Sequence, residues 1–78
     1  MSPHGVAIKQ LLELYISPGY PFDVVFALIY QINGSECSYH STRGLTLNAA
    51  GVRLVDHKTL PYEEIARVDV LSSVRVSY

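Results

Sequence analysis

From Gly44 to Leu71 the chain reads GLTLNAAGVRLVDHKTLPYEEIARVDVL, a series of short alternating runs broken by small-residue and polar corners. Leu45 and Leu47 flank Thr46, and Val52 and Leu54 flank Arg53. Val68 and Val70 resume the same two-residue period. That period places successive side chains on opposite faces of a strand, so the stretch specifies half-buried β-structure. Asn48-Ala49-Ala50-Gly51 and Asp56-His57-Lys58-Thr59 supply the corners. Tyr62-Glu63-Glu64 after Pro61 suits one helical turn, with both carboxylates at its positive N-terminal end.

The preceding half is organised around a second strong signal. Phe22, Val24, Phe26, Leu28, Tyr30 and Ile32 share one strand face, and Val25, Ala27 and Ile29 lie on the other between Asp23 and Gln31. Apolar residues on both faces mark a central strand covered on two sides. Asn33-Gly34 follows, the pair best suited to a type I′ hairpin, which needs positive φ at both central positions. The return strand from Ser35 to Thr42 is polar and short of aliphatics, so an edge or a solvent-facing strand is expected. The tail Val74-Arg75-Val76-Ser77-Tyr78 alternates too, and either closes a small barrel or pairs outside the molecule.

Ahead of these strands, Ser2-Pro3 offers an N-cap and a first-turn proline. Ile8, Leu11, Leu12 and Tyr15 then recur at the spacing of an amphipathic helix, with Lys9, Gln10 and Glu13 opposite. Pro18 and Pro21 stop it. The expected fold is therefore α+β: residues 1–78 as one domain, an N-terminal helix packed on a strongly bent antiparallel sheet or small, partly open β-barrel of about five strands. Phe26, Leu28 and Ile65 are its expected core. A chain of 78 residues gains only about 3–5 kcal/mol from such a core.

Composition narrows function mainly by exclusion. The net charge of −1 removes the general pull toward phosphate that nucleic-acid binders show. Residues 1–42 carry −2 and residues 43–78 carry +1, which leaves a small basic group of Arg43, Arg53 and Lys58. The single cysteine rules out an internal disulfide, and an unpaired thiol fits a reducing compartment. No basic-then-apolar leader opens the sequence and no apolar run is long enough for a spanning helix, so the cytoplasm is the expected location.

No residue pattern has catalytic or metal-binding spacing. Cys37 and His40 form C-x-x-H, but strand residues three apart point to opposite faces and cannot converge on one ion. Glu36 and His40 share a face at about 13 Å, too far for an acid–base pair. No serine lies in a nucleophile elbow, and no glycines form a phosphate cradle. His57 falls in a turn. Neither a cofactor nor catalysis is expected.

Tyrosine is enriched, at six with no tryptophan. Tyr15, Tyr30 and Tyr62 fit core or half-buried positions. Tyr20, Tyr39 and Tyr78 lie in a loop, on the polar strand and at the C-terminus, where rigid amphipathic rings suit an interface. With 49% hydrophobic and 17% charged residues, apolar surface is left over for a partner. The expected function is a non-catalytic, regulatory protein-binding module, with Tyr20, Tyr39, Arg43, Arg53, Lys58 and Tyr78 as candidate contacts. Self-association through the C-terminal strand is a further expectation. The alternatives are an RNA-binding or nucleoprotein-regulating barrel built on Arg43, Arg53, Lys58 and Tyr39, and a small enzyme or ligand carrier.

The order helix, long apolar strand, Asn-Gly hairpin, alternating strands, then Leu60-Pro61-Tyr62-Glu63-Glu64-Ile65 and Val68 resembles small Sm-like β-barrels. The Rho-binding antiterminator family has this layout, a helix ahead of a five-strand barrel. The Leu-Pro-Tyr-x-x-Ile-x-x-Val ending is also similar to that of bacterial pleckstrin-like domains, and to the Ile-Pro-Tyr-His-Arg-Ile segment of a family of archaeal-type domains. The resemblance implies a barrel. The acidic, Cys- and Asp-rich N-terminus of the antiterminators is missing here, so no functional residue carries over.

Overall fold

The computed structural model describes residues 2–41, 45–54 and 58–76. Its first element is helix α1, Pro3–Ile16. The Ser2 hydroxyl accepts the Gly5 N–H at 3.2 Å, and Pro3 starts the first turn, as the sequence anticipates. Ser17 turns extended ahead of Pro18, and its N–H still reaches the Leu14 carbonyl at 3.2 Å. The helix buries Gly5, Ile8 and Leu12. Its N-terminal end is tied to the far part of the chain. The Ser2 N–H donates to Glu63 Oε1 at 2.9 Å, and His4 Nε2 lies 2.6 Å from the Ile65 carbonyl. A carbonyl only accepts, so that nitrogen carries the proton.

Strand β1 runs Phe22–Ile32 and β2 runs Ser35–Ser41. Asn33 and Gly34 between them have φ of 52° and 81°, the two positive values a type I′ hairpin requires. The ladder goes from Ile32 opposite Ser35 to Phe26 opposite Ser41. On its other side β1 pairs antiparallel with β6, Ile65–Arg75, from Tyr30 opposite Ile65 to Phe22 opposite Arg75. The register shifts twice, leaving Ala66 and Leu71 without opposite residues on β1. The sheet order is β2-β1-β6, which puts β1 at the centre, as expected, and β2 at an edge, the first of the two positions its polarity allows.

Three two-residue strands, β3 (Thr46–Leu47), β4 (Val52–Arg53) and β5 (Thr59–Leu60), form a second antiparallel sheet in that order. The 3₁₀ turn Tyr62–Glu64 links it to β6. The core lies between α1, the second sheet and the inner face of the first. It joins Ile8 and Leu12, Val24, Phe26 and Leu28, Leu45, Val52, Leu54 and Leu60, and Tyr62 and Ile65. Phe26, Leu28 and Ile65 are fully buried there, as the sequence predicts.

Two expectations need correction. The strands do not close into a barrel, and there are six among the described residues, in two sheets of three. The reason lies in the tail. Residues Val74 and Arg75 do not begin a separate strand but continue β6, matching the eleven residues of β1. The Val76 N–H extends this ladder to the Pro21 carbonyl at 2.9 Å. The segment expected to close a barrel is thus spent lengthening one hairpin-like pair. An eleven-residue strand spans about 36 Å, which accounts for most of the 44 Å long dimension.

The outer face of β1 is covered differently from expectation. Ala27 and Ile29 are only 2% and 6% exposed, although both main apolar layers lie on the inner side. Arg67 sits opposite Ile29 on β6 and bonds Asp69 at 3.0 Å and Glu36 at 3.4 Å. Glu36 belongs to β2, so the guanidinium must cross β1 to reach it. The side chain therefore runs along the outer face of β1 with its charged head in water. Asp69, by accepting from it, also holds the guanidinium pKa above its ordinary value.

Candidate functional site

The longest unpartnered backbone in the described residues is the edge of β6 that faces away from β1. Both neighbours of β1 are accounted for in the order β2-β1-β6, and no described strand lies beyond β6. Along this strand Val70, Leu71 and Val74 are 47%, 53% and 63% exposed, the last two more than any other large hydrophobic side chain described. Leu71 owes its exposure to the bulge, which lifts it out of register with β1. Val74 lies opposite Asp23 on the outer face, next to the partly exposed Val25. An edge row of amide groups beside exposed aliphatics is a template for adding a strand.

At its start this edge is closed by the helix, since His4 occupies the Ile65 carbonyl. From Ala66 onward no described strand pairs with it. Arg67 and Asp69 mark the outer face of its first part, and Val68 and Val70 the inner face, opposite Leu28 and Phe26. The second part, after the bulge, carries Ser72, Ser73, Val74 and Arg75.

A second feature is a cleft of about 600 Å³ between the C-terminal half of α1 and the β3–β4 corner. Ile16, Pro18, Leu47 and Tyr62 supply its apolar lining, and Lys9 and Glu13 stand along it one helical turn apart. The Tyr62 hydroxyl donates to the Asn48 carbonyl at 2.7 Å, so its one strong donor is already spent. Burial raises the Tyr62 pKa, and the Glu13 charge adds to the rise. Tyr15 is raised in the same way, by burial first and Tyr20 second. A phenol raised in the folded state stabilises the fold below its unfolded pKa of 10.0, and that contribution is lost as pH climbs through the folded value. Stability should therefore hold through neutrality and fall above about pH 10. Tyr62→Phe should cost about 1 kcal/mol at pH 7 by leaving the Asn48 carbonyl to water, and flatten the alkaline fall. Urea midpoints measured from neutral to strongly alkaline pH read both effects; an unchanged alkaline limb in the variant would exclude the Tyr62 contribution.

The residues singled out from sequence are scattered. Tyr20 is half-buried, its ring 5.7 Å from those of both Tyr15 and Phe22. Tyr39 is half-buried on the inner face of β2, packed against the core. Arg53 on β4 is opposite Thr59, which puts it beside Lys58 at the β4–β5 corner, where the Leu54 N–H also meets the Lys58 carbonyl at 2.8 Å. Arg43, His57 and Tyr78 lie outside the described residues. The structure thus puts Arg53 and Lys58 at one corner of the second sheet, on successive register positions, and sets Tyr39 on the other sheet. Cys37 is opposite Tyr30 on the inner face and His40 opposite Ala27 on the outer, so the C-x-x-H pair diverges. Among the described residues no three His, Cys, Asp or Glu side chains gather as a metal site, and no helix is long and apolar enough to cross a membrane.

The sequence pattern places strand residues at Val68 and Val70 and again in the tail, but not the single edge that runs from one to the other. The charge alternation Arg67-Val68-Asp69-Val70 was the available signal, since it marks a strand with one salt-bridged face and one apolar face. The Sm-like resemblance finds no counterpart in a closed barrel. No family model, curated protein or solved structure matches the chain.

Proposed function

We propose that this domain is a non-catalytic, regulatory protein-binding module of the cytoplasm, and that the open edge of β6 is its contact surface. The observation that carries this reading is the coincidence of an open strand edge with exposed Val70, Leu71 and Val74. Main-chain groups on such an edge supply affinity, and the neighbouring aliphatics supply the apolar centre that protein contacts need. Leu71 is the residue to test, because a half-exposed side chain in a bulge contributes little to the fold. Leu71→Asp should change stability by less than about 1 kcal/mol and abolish capture of the partner from nuclease-treated native lysate. Wild-type protein should retain the same partner in moderate salt. Undiminished capture by the Leu71 variant would remove β6 from the interface.

A second reading rests on Arg53 and Lys58 sharing the β4–β5 corner. It makes the domain an RNA-binding module. Phosphate contacts release counterions, so binding of this kind falls steeply between low and moderate salt, whereas an apolar edge contact does not. Retention that vanishes with nuclease, or that follows such a salt slope, would replace the first reading with the second.

A further inference from the structure

The charge pattern on the open edge is self-complementary in one register. Before the bulge at Leu71, Arg67 and Asp69 point to the outer face and Val68 and Val70 to the inner face. Two copies of this strand placed antiparallel about a twofold axis bring each residue opposite one whose number is fixed by the centre. Centring on Arg67 or on Asp69 sets like charges directly opposite, which destabilises a pair of strands. Centring on Val70 leaves both charges facing neutral residues. Centring on Val68 sets Arg67 opposite Asp69 of the second copy, and Asp69 opposite its Arg67, with all four on the outer face. Within each chain Arg67 bonds Asp69 and reaches back across β1 to Glu36, so joining the seam means exchanging the exposed 3.4 Å Glu36 contact for Asp69 of the second copy, after which two guanidiniums and two carboxylates alternate. Val68 then meets Val68 on the inner face, and Val70 meets Ala66.

The part of β6 after the bulge has no such register. Its only charge is Arg75, and the shift at Leu71 inverts the faces, so a ladder cannot run straight through both parts. His4, holding the Ile65 carbonyl, sets the other limit. A seam from Ala66 to Val70 is what remains. We propose that the domain forms a twofold dimer by antiparallel pairing of these segments, giving a continuous sheet β2-β1-β6-β6-β1-β2. The partner for this edge is thus a second copy of the chain. The inference rests on the reading of β6 as a contact edge and names its occupant. It also moves self-association from the C-terminal tail to the strand's first half.

The test is a charge swap. Arg67→Glu sets carboxylate against carboxylate at both outer-face pairs of its own dimer, and Asp69→Arg sets guanidinium against guanidinium at both. Each variant alone should dimerise about 10- to 100-fold more weakly than wild type. Mixed in equal amounts they regain two opposite-charge pairs. The introduced carboxylate of one variant faces the introduced guanidinium of the other, and the first variant's Asp69 faces the second's Arg67. The mixture should sediment as a heterodimer at near wild-type affinity. Hydrogen exchange gives a reading that does not depend on variants: amides from Ala66 to Val70 in wild-type protein should gain protection as concentration rises, and those from Ser72 to Arg75 should not. Wild-type protein that stays monomeric at high micromolar concentration overturns the dimer. Single variants that dimerise as well as wild type, or a mixture that does not associate, overturn this register. A monomeric wild type that still captures another protein through Leu71 would defeat self-pairing while leaving the contact-edge reading standing.

Discussion

Phe26→Ala should leave this chain unfolded or nearly so at room temperature. Phe26 sits at the middle of the central strand, fully buried, opposite Ser41 on β2 and Val70 on β6. Its ring is 5.8 Å from that of Tyr15, so it joins helix to sheet as well as strand to strand. Removing a buried phenyl group costs about 3–5 kcal/mol, part of it from the cavity left behind. A domain of this size has roughly that much net stability in all. The loss and the reserve are of equal size, and the reserve goes. Phe26→Leu fills most of the same volume and should cost less than about 1.5 kcal/mol, leaving a cooperative transition at lower temperature. Thermal melts of the two variants beside wild type decide the matter. A Phe26→Ala protein that melts cooperatively within a few degrees of wild type would mean that the helix and the sheets do not share one core.

What could be read from sequence was what short-range physics determines. Ser2 and Pro3 define a helix start because the cap bonds a residue three positions away. Asn33-Gly34 defines a hairpin because two adjacent φ angles must be positive. The alternation of β1 defines its inner face, and the inner residues are the core. Each of these is settled between near neighbours in the chain. Closure was not, since it depends on which strand the tail joins, and residues 65 to 75 pair with residues at least 35 positions earlier. Alternation alone does not distinguish one eleven-residue strand from two short ones with a turn at Ser72-Ser73. The bulges at Ala66 and Leu71 let the longer strand follow β1 without losing it, and nothing in the local composition announces them. The outer-face contact was hidden for a related reason. Two apolar faces on β1 imply two covering layers, yet on the outer face an arginine reaches from β6 to Glu36 on β2. The candidate contacts fared according to the same rule: Tyr20 lies in a loop, as its sequence context indicates, yet the rings of Tyr15 and Phe22 pack against it from either side.

Gly51→Ala is the second substitution expected to be severe, and for a reason that sequence reading barely touches. Asn48 and Gly51 exchange two backbone hydrogen bonds, 2.8 and 3.3 Å, across the corner between β3 and β4. Gly51 is buried, with φ of 155°, at the border of the region that L-residues avoid. A Cβ built there would overlap the Leu60 carbonyl group and lie 2.9 Å from the Pro61 Cα. These neighbours are backbone, so no side-chain rotation relieves the contact. Either the corner or the β5–Pro61 segment has to move. Moving it disturbs Val52, Leu54 and Leu60, the second sheet's part of the core, together with Tyr62. The expected cost is about 3 kcal/mol or more, again near the whole stability. Gly34 supplies the control. Its φ of 81° is also strained for alanine, but nothing lies within 4 Å of the added carbon. Gly34→Ala should therefore cost only about 1–2 kcal/mol, the backbone strain alone. Urea unfolding of both variants should rank Gly51→Ala well below Gly34→Ala. The opposite ranking would mean that the β3–β4 corner does not rest on Leu60, and that the second sheet packs in some other way.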